Sequence, residues 1–106
     1  MAKLSWNKTI YYGERAKADQ LTIRRDIRLR SFRPFTYLIV LEEESKKPEI
    51  YHNAALFSSF LSQRSFQLIG IAEGKEEATA LLGQIVTDVY AADRELNYAE
   101  YFGIPS

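Results

Sequence analysis

The residues able to carry chemistry are few, and their spacing decides most of the case. His52 is the only histidine and there is no cysteine, which removes thiolate metal sites, disulfides and cysteine nucleophiles. Without a second histidine, His52 joins a metal site only through carboxylates such as Glu49, a poor ligand set. A Ser/His/Asp relay would need His52 with Ser58, Ser59, Ser62 or Ser65, and no nucleophile-elbow sequence surrounds any of them. Glu42, Glu43 and Glu44 end a strand-like run in a polar turn, so paired-carboxylate acid–base chemistry lacks an enclosing pocket. The stretch "LIGIAEGKEEATALL" (68–82) has the outline of a phosphate-binding strand–loop–helix. A P-loop, however, needs four residues between its glycines and a hydroxyl after the lysine. Gly70 and Gly74 have three between them, and Glu76 follows Lys75. Glu76 and Glu77 fall in the first helical turn, where a carboxylate complements the helix dipole and repels an entering phosphate. The stretch reads as a structural joint, with Gly74 as the turn. No catalytic, cofactor-binding or metal-binding residue is assigned, and the sequence leans against an enzyme.

Charge supplies the first candidate for binding. The net charge is zero, but residues 1–34 carry nine Lys/Arg against three Asp/Glu, and residues 73–106 carry two against seven. Seven of the basic residues lie between Glu14 and Arg33, and Lys17, Arg24, Arg25 and Arg28 are the candidate contacts to a phosphate backbone. No helix-turn-helix, zinc or RNP-type motif accompanies them. Two readings stay open: an exposed basic surface, or internal neutralisation by the acidic C-terminal third. The second candidate is the aromatic tail "NYAEYFGIPS", where Tyr98, Tyr101 and Phe102 are residue types enriched in interface cores. Its alternative is a segment docked on its own domain.

A chain of 106 residues with 46% apolar and 26% charged composition fits a single domain, 1–106. Seven Tyr, six Phe and one Trp point to a core built from rings. No signal-like N-terminus and no apolar run near ~18 residues occur, so neither export nor a membrane span is expected, and the expected location is the cytoplasm.

"KTIYY" (8–12) has strand character and Gly13 breaks it. From Glu14 the pattern is helical, with Tyr12, Ala16, Ile23 and Ile27 on one side, ending by about Arg33 ahead of Pro34. "FTYLIVLEE" (35–43) is the clearest strand; its unbroken apolar centre implies burial on both faces or a central place in the sheet. "EIYHN" (49–53) pairs with it as a hairpin. "AALFSSFLSQ" (54–63) has helical spacing, and "SFQLIGIA" (65–72) is a strand expected to run parallel to 49–53 through a right-handed crossover. Ala78, Leu81, Leu82, Ile85, Val86 and Val89 trace the main helix, about Lys75 to Glu95. The expected architecture is two-layer α/β (α+β), order (β)αββαβα, with a mixed sheet of three or four strands and helices mainly on one face.

"GIAEGKEEA" (70–78) followed by "LLGQIVTDVY" (81–90), with "YYGE" at 11–14 and "YLIVL" in similar order, resembles small uncharacterised proteins of Gram-positive, clostridial-type bacteria. That resemblance implies the same fold reading and brings no activity, ligand or functional residue. The expected role is a small non-catalytic protein acting through protein contacts, as a homodimer or with another protein partner. The alternative is a nucleic-acid-associated protein using the basic helix 14–33. No cofactor is expected.

Overall fold

The apolar run of the second strand sets the architecture. In Thr36–Glu42 the successive residues Leu38, Ile39, Val40 and Leu41 are all at most 1% exposed. Side chains alternate across a strand, so a run buried at every position demands cover on both faces. The computed structural model, which describes residues 3–58 and 63–104, supplies it. The elements are β1 (Lys3–Tyr12), α1 (Glu14–Ala18), α2 (Gln20–Arg28), β2 (Thr36–Glu42), β3 (Pro48–His52), a short 3-10 helix (Asn53–Phe57), β4 (Ser65–Glu73), α3 (Lys75–Ala92) and α4 (Tyr98–Tyr101).

The four strands form one mixed sheet in the order β1-β4-β2-β3. β1 lies parallel to β4, and β2 lies antiparallel to both β4 and β3. The α+β class and the four-stranded mixed sheet are those expected. The helices are not confined to one face. Leu38, Val40, Phe66, Leu68 and Ile71 pack with Ala16, Ile23 and Ile27 of α1 and α2. Ile39, Leu41, Ile69 and Ala72 pack with Ala78, Leu81, Ile85 and Val89 of α3, and with Phe102 beyond α4. The sheet is therefore the middle of three layers, because its central strands carry apolar side chains on both sides.

A bulge explains why "LIGIA" shows no alternation. Ile39 faces Gly70 while Val40 faces Leu68, so β4 holds one extra residue at Ile69. Such an insertion reverses the inward and outward assignment beyond it. Phe66 and Leu68 before the bulge, and Ile71 after it, consequently reach the same core. Gly70 is confined by its neighbour, since a Cβ there would come within 3.2 Å of Ile39.

Several boundaries differ from the sequence reading. The helix expected over 14–33 breaks at Asp19, whose φ of −126° and ψ of 30° end α1 and begin α2. It stops at Leu29, where Arg30 takes φ 56° and the Ser31 N–H donates to the Asp26 carbonyl at 2.9 Å, a left-handed terminus. The 54–63 helix is realised as the 3-10 turn at its start; 59–62 lie outside the described residues. β4 does not pair with β3, because β2 lies between them; its parallel partner is β1. The hairpin of β2 and β3 is as expected, its turn fixed by the Ser45 N–H donating to Glu42 Oε1 at 2.8 Å. No helix among the described residues is long and apolar enough to cross a membrane.

Candidate partner-binding face and the joint beside it

Two places bring candidate residues together, and their chemistry differs. The first is the end of the parallel strand pair. β1 leads through Gly13 into α1 on one face, and β4 leads through Gly74 into α3 on the other. In open α/β sheets the crevice between strands whose connections part in this way is the habitual ligand site. A depression of about 670 Å3 lies here, lined by Gly13, Glu14, Arg15, Gly74, Lys75 and Glu77 among others. Its floor is filled by the protein itself. Glu77 Oε1 accepts from the Arg15 N–H at 2.7 Å, and Oε2 accepts from the Glu73 N–H at 2.7 Å and the Ala16 N–H at 3.4 Å. α1 has no side-chain cap of its own; the carboxylate of α3 serves it across the joint. Gly13 has ordinary backbone angles, and a Cβ there would overlap the Glu77 side chain. The sequence placed Glu77 at the start of its own helix; that it caps the neighbouring one was legible only from the strand order.

The second place is the outer face of α2. Ile23 and Ile27 turn into the core, and Leu21, Arg24, Arg25, Arg28 and Leu29 line a depression of about 410 Å3 on the other side. Leu21 is 82% exposed and Leu29 68%. Trp6 of β1 lies beneath the arginines, with the Arg24 guanidinium 5.2 Å and that of Arg28 4.9 Å from its ring centroid. Arg24 also donates to the Tyr12 hydroxyl at 3.1 Å. Cation–π stacking holds both guanidiniums without neutralising them. Trp6 was absent from the candidate residues, because nothing in "KLSWNK" announces that a strand 18 residues earlier than Arg24 runs under the helix.

The remaining basic residues divide by function. Arg25 pairs with Asp26 of its own helix at 3.3 Å. Arg33 bridges Asp26 at 2.6 Å and Glu73 at 2.8 Å, and its Nε donates to Thr36 Oγ1 at 2.8 Å. Arg33 and Asp26 are a structural pair: the Arg33 hydrogen bond holds the Asp26 carboxyl below the ordinary 3.8. For Arg33 itself, burial opposes the charge, yet the bonds to Glu73 and Asp26 outweigh it and push the guanidinium upward. Among the described residues, none of Lys17, Arg24, Arg25 and Arg28 pairs with an acid of the C-terminal third. The Arg33–Glu73 contact realises in part the internal neutralisation considered from the sequence.

The aromatic tail docks on its own domain. Phe102 is 6% exposed and meets Tyr11 edge-on at 5.9 Å, while Tyr98 packs partly buried beside it. Asn97 caps α4 by accepting from the Glu100 N–H at 3.0 Å. Tyr101 is 37% exposed, and its hydroxyl lies 2.8 Å from that of Tyr11. Tyr11 also donates to Asp88 Oδ2 at 2.8 Å. Burial first, then these two bonds, push the Tyr11 hydroxyl far above its ordinary value.

His52 is occupied at both nitrogens. Nδ1 accepts from the Ala54 N–H at 3.1 Å, and Nε2 lies 2.9 Å from the Pro34 carbonyl. A carbonyl only accepts, so the hydrogen sits on Nε2. The ring thus pins the Pro34 loop to β3. Among the described residues no three His, Asp or Glu side chains are grouped to hold a metal ion. Comparison of the chain with protein-family models, curated proteins and solved structures gives no significant match.

Proposed function

We propose that this protein is a small non-catalytic binding module that acts through protein contacts made by the outer face of α2. One observation carries the reading. Arg24 and Arg28 lie on the Trp6 ring with no carboxylate partner among the described residues, between two leucines that are mostly exposed. Arginine and tryptophan dominate the energetics of protein interfaces. A guanidinium already held against a ring loses less freedom on binding than a free side chain. Exposed leucines on a soluble surface are ordinary singly, but two in one depression with three arginines make a mixed apolar and cationic patch.

The nucleic-acid reading rests on the same arginines and is the weaker of the two. Protein–nucleic acid interfaces are more polar than protein–protein ones, and a phosphate backbone gives nothing back for covering Leu21 and Leu29. Both sheet edges also bear devices that discourage strand-to-strand pairing. β1 carries Lys3 and Lys8 and loses register between Trp6 and Tyr11, and β3 begins with Pro48. A homodimer formed edge to edge is therefore disfavoured relative to docking on a helical face.

The reading is tested with a photo-crosslinking residue placed at Leu21 on α2 and, in a separate protein, at Tyr90 on α3, both in cells that make the protein. Discrete adducts from the Leu21 position are expected, and reversing the charge of Arg24 and Arg28 should abolish them. Adducts arising from Tyr90 and not from Leu21 would place the working surface on the opposite face and defeat the reading.

A further inference from the structure

Resting on the α2 reading, we infer that the occupant of this face is an acidic amphipathic helix of another protein, laid along α2 between Leu21 and Leu29. The two leucines are eight residues apart, so they stand roughly 12 Å apart along the helix axis at 1.5 Å per residue. Between them the exposed face offers Arg24, Arg25 and Arg28. A helix presenting apolar residues two turns apart, with carboxylates on the turn between, matches apolar to apolar and charge to charge. Helix-in-groove recognition reads anchors at this kind of spacing. The planar fork of an arginine can bond both oxygens of one carboxylate together.

Symmetry disfavours the simplest competing occupant. A second copy of this chain has acids, but Asp88, Asp93, Glu95 and Glu100 belong to the segment of α3 and α4 that covers the other face of the sheet. One copy's α2 set on the next copy's α3 would leave an unfilled face at each end. That contact is head-to-tail, so it builds a ring or an open chain and does not close as a two-fold pair.

The experiment uses the full-length protein and its only tryptophan, Trp6, as the reporter. Three probes are titrated: a peptide with leucines on one helical face and glutamates flanking them, a scrambled peptide of the same composition, and a duplex oligonucleotide. The patterned peptide is expected to change Trp6 emission saturably and to gain helicity on binding. Leu21→Asp and Arg28→Ala should each weaken it about tenfold or more. Leu21 is 82% exposed, so an unchanged thermal melt of Leu21→Asp separates lost binding from lost folding. Equal binding of the scrambled peptide would overturn the helix claim. If only the duplex binds, this inference and the protein-contact reading both fall. If no probe binds while the Leu21 crosslink still forms, the inference falls and the α2 reading stands. Concentration-dependent rings or filaments in sedimentation would instead identify the second copy as the occupant and overturn the inference.

Discussion

Glu77 and Gly13 show how a single contact decides the character of a site. Three backbone N–H groups converge on one carboxylate, the arrangement that elsewhere receives a ligand's phosphate. Removing it orphans donors at the start of α1, so Glu77→Ala is expected to cost about 2–3 kcal/mol in denaturant unfolding. Gly13→Ala should cost a similar amount alone, by driving the carboxylate off its donors. In the Glu77→Ala background the same change should be neutral, or stabilising by about 0.5 kcal/mol, because Gly13 already has an angle any residue adopts. Additive costs in the double mutant would show that the overlap is not what makes Gly13 necessary. Tyr11 gives a second test. Its raised folded value means that its contribution is complete below the ordinary 10.0 and is lost as the pH climbs above it. Tyr11→Phe should lose about 1 kcal/mol at neutral pH and show a shallower alkaline decline than the parent in pH-dependent melts.

The connection from α2 to β2 is the element where sequence and structure diverge most usefully. Pro34 correctly signals that the helix ends, but the left-handed Arg30 ends it earlier. The freed segment is then fastened by side chains from four other elements. Asp26 and Glu73 clamp Arg33. Thr36, fully buried, donates to Glu73. Asn53, 3% exposed, donates to the Arg33 and Thr36 carbonyls and accepts from the Arg33 N–H. None of these partners is near Arg33 in sequence except Thr36, so no local pattern revealed them. Strands and the main helix were legible because their periodicity is local; the clamp and the Trp6 stack depend on which strands become neighbours. The clamp has a pH signature. The depressed Asp26 carboxyl contributes fully above its ordinary 3.8 and loses that contribution as the pH falls through its folded value. Asp26→Asn should therefore lower stability at neutral pH while flattening the acid limb of the stability profile. An unchanged acid limb would remove Asp26 from the account.

Across the molecule, the sequence conveyed the class and the hairpin, left the tail open between an interface and a docked segment, and missed the second helical layer. The missing information was the bulge at Ile69, which converts an apolar run into two correctly facing cores. Both layers are tied at one point by Glu77, so hydrogen exchange should show α1 and α3 opening together, and Glu77→Ala should let α1 exchange first. The strand order has a further consequence, in time. Among the described residues β1 pairs with β4 and with no other strand, Lys3 opposite Ser65 and Tyr12 opposite Ile71. β1, which leaves the ribosome before β4, thus has no place in the sheet until β4 has been made. Closing so long a loop is slow, and the β2–β3 hairpin, joined by a short turn, precedes it. Pulse-labelled exchange during refolding should protect β2 and β3 before β1. During synthesis β1 and its Trp6 wait for that partner, and the face formed by Arg24 and Arg28 on the ring is set in the sheet only once β4 has followed.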